Sequence, residues 1–254
     1  MIEQKSLAYV NMYGVLGSLE NLCAMDSVAK KALKRIKKEV GLCFEVKDGP
    51  CCTFFFNPQG CTMKEGDVGC TAKMRFASPE KFNALINESK PGLPVKNPAG
   101  TLLFLLGSFT RLTDRLNAVL RPSEKAMQDR DFFEENTLMT MHVIGGAVCA
   151  LANNDSISKI SAGNTVDGDI RMSIPGKADI TIRVRDHVFS LIKGKTDRPR
   201  AIMEFADIDL ANGLFAGTVS TVNEMCRGTI RLSGMISMID NVNRILDRVP
   251  VYLA

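Results

Sequence analysis

Histidine is scarce in this chain: two residues, His142 and His187, among 254. His187 follows Asp186, an order that invites a general-base reading. Neighbouring residues on a helix point apart, however, and no nucleophile-elbow motif accompanies either imidazole. No catalytic residue is assigned, and a non-enzymatic protein is expected. Long apolar runs are also missing. The longest, TLLFLL and VIGGAVCALA, fall well short of the roughly 20 residues that a membrane-crossing helix needs. The N-terminal MIEQKSLAYV lacks the basic-then-apolar order of a secretory signal, so a cytoplasmic location is expected.

Cofactor motifs fail as well. KGKTD at 193–197 resembles the end of a phosphate-binding loop, but Phe189 stands where that motif needs glycine. Gly213, Gly217 and Gly228 are too widely spaced for a dinucleotide fingerprint. The eight cysteines (Cys23, Cys43, Cys51, Cys52, Cys61, Cys70, Cys149 and Cys226) read as thiols, since a reducing compartment does not keep disulfides. Four of them lie in CCTFFFNPQGCTMKEGDVGC, whose C-C-x8-C-x8-C spacing matches neither zinc knuckles nor iron–sulfur runs. They are expected to behave as small hydrophobes, with no metal and no cofactor.

What is present is an ordinary globular composition, 45% apolar and 24% charged, with a formal net charge of +4. The charge is unevenly spread: residues 1–126 hold 18 basic and 12 acidic side chains, and the excess sits in KKALKRIKK at 30–38. A helix capped by Asp26 or Ser27 and stopped by Gly41 is expected there, with Val28, Ala32, Leu33, Ile36 and Val40 on its apolar face. Lys30, Lys31, Lys34, Arg35, Lys37 and Lys38 would flank that face. They are the candidates for an anionic headgroup or a transient contact with an anionic membrane surface. Nucleic acid is not expected, because no aromatic residues interleave the charges to stack bases.

The chain also rhymes with itself. GVLGSLENLCAMDSVAKK at 14–31 is echoed by HVIGGAVCALANNDSISKI at 142–160, with Asp26-Ser27 answering Asp155-Ser156. EVKDGP at 45–50 is matched with TVDGD at 165–169, each as an acidic-Gly turn between strands. CTFFF and CTAKMRF are expected as strands in the first half, DIRMSI and ADITIRV in the second. Each half then turns helical: SPEKFNALI, with Ser78 as cap and Pro79 at the first helical position, and RDHVFSLIKG, with Asp186 as cap and Gly194 as stop. GSFTRLTDRLNAVL and GMISMIDNVNRIL close the halves as amphipathic helices. Matches in one order at offsets near half the chain point to duplication. Residues 121–136 are polar and charged, with Pro122 barring continuation and Ser123 able to cap, so the boundary is placed between domains 1–122 and 123–254. The expected class is α+β: two similar domains, each a mostly antiparallel sheet of about five strands covered by helices.

In VDGDIRMSIPGKADITIRVRDHVFSLIKGKTDRPRAIMEF the second half resembles the sterol carrier protein (SCP-type) lipid-binding family. The pieces that carry the resemblance are Asp167-Gly168, Ala178-Asp179-Ile180-Thr181-Ile182, Phe189 with Ile192, Gly194-Lys195 and Pro199, with GTIRLSGMISMIDNVNRIL as the closing strand and helix. The first half is more divergent, having Lys73-Met74-Arg75 where the strand pattern prefers Asp and Thr. Residues 206–228 have no counterpart in the short form of the domain. The resemblance implies a tunnel for a small apolar lipid ligand: a fatty acid, an acyl-coenzyme A or a sterol-like molecule.

Thirteen methionines suit a pocket that adapts to varied apolar shapes. Phe189, Met203, Phe205, Leu214, Phe215, Met235, Met238 and Ile239 are the candidate lining, in the second domain. The competing reading is a structural or interaction module, two pseudo-symmetric packed domains with filled interiors and no tunnel. Sequence does not address the oligomeric state.

Overall fold

The computed structural model describes residues 2–88, 95–96 and 99–253, and the chain divides into two compact units, Met1–Asp129 and Arg130–Ala254. In the first, helical chain runs from α1 (Gln4–Tyr9) through a wide turn into α2 (Leu19–Met25), followed by α3 (Ser27–Leu33). Strands β1 (Val40–Val46), β2 (Cys51–Asn57), β3 (Gly60–Glu65) and β4 (Ala72–Phe76) follow, then α4 (Pro79–Glu88) and the short β5 (Val95–Lys96). Helices α5 (Ala99–Phe104) and α6 (Thr110–Leu120) close the unit.

The second unit opens with α7 (Arg130–Asn154) and α8 (Ser158–Gly163), then β6 (Gly168–Ile174), β7 (Ala178–Arg185), β8 (Val188–Ile192) and β9 (Ala201–Phe205). Helices α9 (Ile208–Phe215) and α10 (Thr221–Arg227) lead to β10 (Ile230–Gly234), α11 (Ile236–Leu246) and α12 (Val249–Leu253).

The two sheets have one topology. The orders are β3-β2-β1-β4-β5 and β8-β7-β6-β9-β10, with a parallel pairing only at β1/β4 and β6/β9 among the described strands. The registers also correspond. Leu42 faces Ala72 and Phe44 faces Met74 in the first sheet; Ile170 faces Ala201 and Met172 faces Met203 in the second. The fold is α+β, as expected.

Local chemistry explains most elements. Asp26 caps α3 by accepting the Ala29 N–H at 2.5 Å, and Asp155 caps α8 by accepting the Ser158 N–H at 2.8 Å. Residues 141–152 of α7 are all buried, the expected behaviour of a helix apolar on every side. In α6, Leu112, Leu116 and Val119 form the buried stripe, and in α11 Met238, Ile239, Val242 and Ile245 do.

Three expectations are corrected. RDHVFSLIKG is a hairpin, not a helix: Asp186 (φ 49°) and His187 (φ 61°) form a tight turn, and β8 returns along β7. Positive φ at two successive residues suits the right-handed twist of paired strands, and the five residues that follow, four of them apolar, are too few for periodicity to separate strand from helix. The basic helix ends at Leu33, where tight i to i−3 bonds from Arg35 and Ile36 unwind it; Val40 and Gly41 belong to β1, paired with Phe56 and Phe55. TVDGD does not join paired strands, as it leads from α8 into β6; the hairpin turn answering Lys47–Pro50 is Pro175–Lys177.

The register also uncovers a repeat that the sequence comparison missed. Ala72-Lys73-Met74-Arg75-Phe76-Ala77 corresponds to Ala201-Ile202-Met203-Glu204-Phe205-Ala206, and the helix after each strand corresponds too, α4 to α9. Residues 206–228 are therefore not wholly additional, since α9 has a counterpart. Each of these helices carries an asparagine that ties it to the helical chain opening its unit. Asn83 bonds with Asn11 at 3.1 Å, and Asn212 donates to Thr137 Oγ1 at 2.8 Å.

Candidate lipid-binding surfaces

In the second unit, one face of the sheet is apolar from edge to edge. Successive paired residues Phe189, Val184, Ile182, Ile170, Met172, Met203 and Phe205 are all buried on it. Helices α7 and α11 supply the cover, the latter through Met238 and Ile239. Phe205 meets Phe215 of α9 edge to face, with centroids 5.7 Å apart, a favoured geometry for two rings. Leu214 and Phe215 remain half-buried on that helix.

The candidate lining is thus distributed unevenly. Met203 and Phe205 share β9, and Phe215 joins Phe205. Met235, just before α11, is exposed. Phe189 lies three strand spacings from β9, about 14 Å. Asn153 of α7 accepts its N–H at 2.9 Å and donates to its carbonyl at 2.8 Å, which occupies that edge of the sheet.

Two features bear on where a ligand could sit. At Gly145 of α7 an added Cβ would lie 2.7 Å from Ile180 Cδ1 and 2.9 Å from Leu191 Cδ1, so the helix is seated directly on β7 and β8. At the same sheet positions the two units use different side chains. The first unit has Phe44, Phe54 and Phe56, where the second has Met172, Ile182 and Val184. Phe44 and Phe54 interlock at 5.7 Å, and Phe109 of the wide turn before α6 stands within 6.1 Å of both Phe44 and Phe56.

The basic segment makes a separate surface in the first unit. All six candidate cations, Lys30, Lys31, Lys34, Arg35, Lys37 and Lys38, are exposed. Lys31 and Arg35 converge with other cations in a groove of about 370 Å³ between α3 and α6, lined also by Val28, Ala32, Arg111, Asp114 and Arg115. Arg111 and Arg115 were not anticipated, because their approach to α3 is tertiary. The Arg115 guanidinium is committed to buried Asp26, 2.9 Å away. Its lining combines the apolar Val28 and Ala32 with four cations and one carboxylate, Asp114.

Neither histidine lies in these surfaces. His142 is buried in α7, its Nδ1 2.8 Å from the Leu138 carbonyl oxygen, and burial pushes its pKa down. His187, in the hairpin turn, has Nδ1 3.2 Å from the Thr165 carbonyl oxygen. Among the described residues, no helix is long and apolar enough to cross a membrane.

No protein-family model and no curated protein matches the sequence. Solved structures similar to the chain include a UbiJ-SCP2 ubiquinone synthesis protein, at 10% identity over 44% of this chain and 96% of that one, TM-score 0.35. A sterol carrier protein 2 is similar at 14% identity over 43% and 92%, TM-score 0.32. Sterol carrier protein 2 like 2 from Aedes aegypti is similar at 11% identity over 41% and 94%, TM-score 0.30.

Proposed function

We propose that the protein binds and carries a small apolar lipid without catalysis, chiefly in the second unit, and that its two units are SCP-type copies of one ancestral domain. The observation that carries this reading is the replacement of Phe44, Phe54 and Phe56 by Met172, Ile182 and Val184 at equivalent sheet positions. Interlocked rings fill the first unit. Methionine and aliphatic side chains leave the second able to re-form around a guest.

The seam at Gly145 directs the ligand away from β7 and β8. The acyl chain or ring system lies against Met172, Met203, Phe205, Met238 and Ile239, with Leu214 and Phe215 at the mouth. Removing apolar surface from water at about 25 cal/mol per Å² supplies the affinity. The groove between α3 and α6 of the first unit is a separate contact, for anionic headgroups of a membrane surface.

The alternative, a filled interaction module, is favoured at one place, the close helix–sheet contact at Gly145. Native mass spectrometry of protein purified from cells separates the two readings. A co-purified lipid, displaced by a fluorescent fatty-acyl probe, is expected; a clean apo mass with no probe binding would leave the filled module as the correct reading.

A further inference from the structure

The outer face of the first sheet carries a side-chain cluster unrelated to lipid. Cys43 and Cys51 stand on adjacent strands at diagonal positions, since Cys43 pairs with Thr53 and Glu45 with Cys51; their sulfurs are 3.9 Å apart. The connection from β3 to β4, residues 66–71, folds back over them. It is pinned at both ends: Gly66 N–H donates to Cys51 O at 2.8 Å, Thr53 Oγ1 donates to Gly66 O at 2.8 Å, and Thr71 N–H donates to Gly41 O at 2.8 Å. Gly41 permits this, because a Cβ there would stand 3.1 Å from Cys70 Cα and from Gly69 O.

The loop thereby delivers Cys70 and Asp67 above buried Cys43. One donor atom from each of Cys43, Asp67 and Cys70 lies within 4.8 Å of the other two, and Cys70 Sγ is 3.0 Å from Asp67 Oδ1. We propose that Cys43, Cys70 and Asp67 form a binding site for a thiophilic divalent cation such as Zn²⁺, which clamps loop 66–71 to the sheet.

The spacings fit the metal. Zn–S bonds of about 2.3 Å in a tetrahedron put two sulfurs about 3.8 Å apart, inside the 4.8 Å within which the Cys43, Cys70 and Asp67 donor atoms all lie. The carboxylate is already oriented: Asp67 turns Oδ1 to the Cys70 sulfur, while Oδ2 is held by Lys73, itself paired with Glu45 at 3.5 Å. Such outer partners fix a ligating carboxylate. Lys73 also offsets the charge of two thiolates and one carboxylate around a divalent ion, which together carry one net negative charge. Three protein donors leave one tetrahedral position for water, and the role of the metal here is to tie the loop to the sheet. The cysteine spacing concealed this site because Cys52 and Cys61, inside the motif, do not contribute, and Cys43, outside it, does.

Cobalt titration of the reduced full-length protein tests the assignment. One equivalent is expected to bind with a thiolate-to-cobalt charge-transfer band, and Zn²⁺ should displace it. Cys70→Ser and Asp67→Asn, both on the loop, are expected to weaken binding at least about tenfold while far-UV circular dichroism stays unchanged. Cys226→Ser, an exposed thiol of the other unit, should bind as the parent does. A parent protein without the charge-transfer band overturns the proposal, and so does a Cys70→Ser variant with the parent's band and affinity.

Discussion

Asp155 and Arg248, 93 residues apart in sequence, meet inside the second unit with Arg248 Nη2 3.0 Å from Asp155 Oδ1. The carboxylate is fully buried, caps α8 and also accepts the Tyr252 hydroxyl at 2.6 Å. The first unit has the same device: Asp26 caps α3 and binds Arg115 of α6. In each unit the residue that starts a local helix is also the anchor for a cation that the chain supplies much later.

This pairing sets a pH dependence. Burial by itself raises the Asp155 pKa, but Arg248, Tyr252 and Ser158 outweigh it and hold the carboxyl at about 2, against 3.8 ordinarily. Because the folded value is lowered, the stabilisation is complete above about pH 4 and is lost as the pH falls through about 2, amounting to about 2 kcal/mol. Urea unfolding of Asp155→Asn should show a flatter stability curve over that interval. Arg248→Ala, which strands a buried charge, should cost about 3 kcal/mol at neutral pH.

Gly145→Ala should destabilise the protein by about 1–3 kcal/mol, because the added methyl group overlaps Ile180 and Leu191 in a filled seam. Thermal or urea unfolding checks this. A cost near zero would mean that α7 is not seated on β7 and β8 as described.

Met172→Phe places in the second unit the side chain that Phe44 supplies in the first. With space for a guest beside Met172, the ring should be accommodated at a cost under about 1 kcal/mol and acyl-probe affinity should fall about tenfold or more. A filled interior instead gives a cost of about 1–3 kcal/mol and no binding to lose. Unfolding and probe titration, measured together, distinguish the outcomes.

The double substitution Lys31→Glu/Arg35→Glu should leave unfolding unchanged, since both side chains are exposed. It should weaken association with vesicles containing anionic lipid by at least about tenfold, at roughly 1 kcal/mol per charge near the surface. Added salt should reduce the difference. Equal vesicle binding by the parent and the variant would remove the groove from the membrane contact.

Sequence by itself determined what short-range chemistry controls: a cap at Asp26 or Ser27 with its echo at Asp155-Ser156, the amphipathic helices α6 and α11, and strands such as ADITIRV. Each of these is settled by contacts within a few residues, and so was legible. Tertiary structure decided the rest. Val188–Ile192 is a strand because β7 offers it a hydrogen-bonding edge; its own apolar pattern suits either periodicity. The correspondence of Ala72–Ala77 with Ala201–Ala206 became visible through the parallel pairing with β1 and β6, which no local signal announces. Arg111 and Arg115 reach the basic groove, and Cys43 meets Cys70 and Asp67, because distant segments pack together. The physical division is one of range: helix caps and side-chain alternation act along the chain, whereas strand partners and converging polar groups depend on contacts that only the folded chain makes.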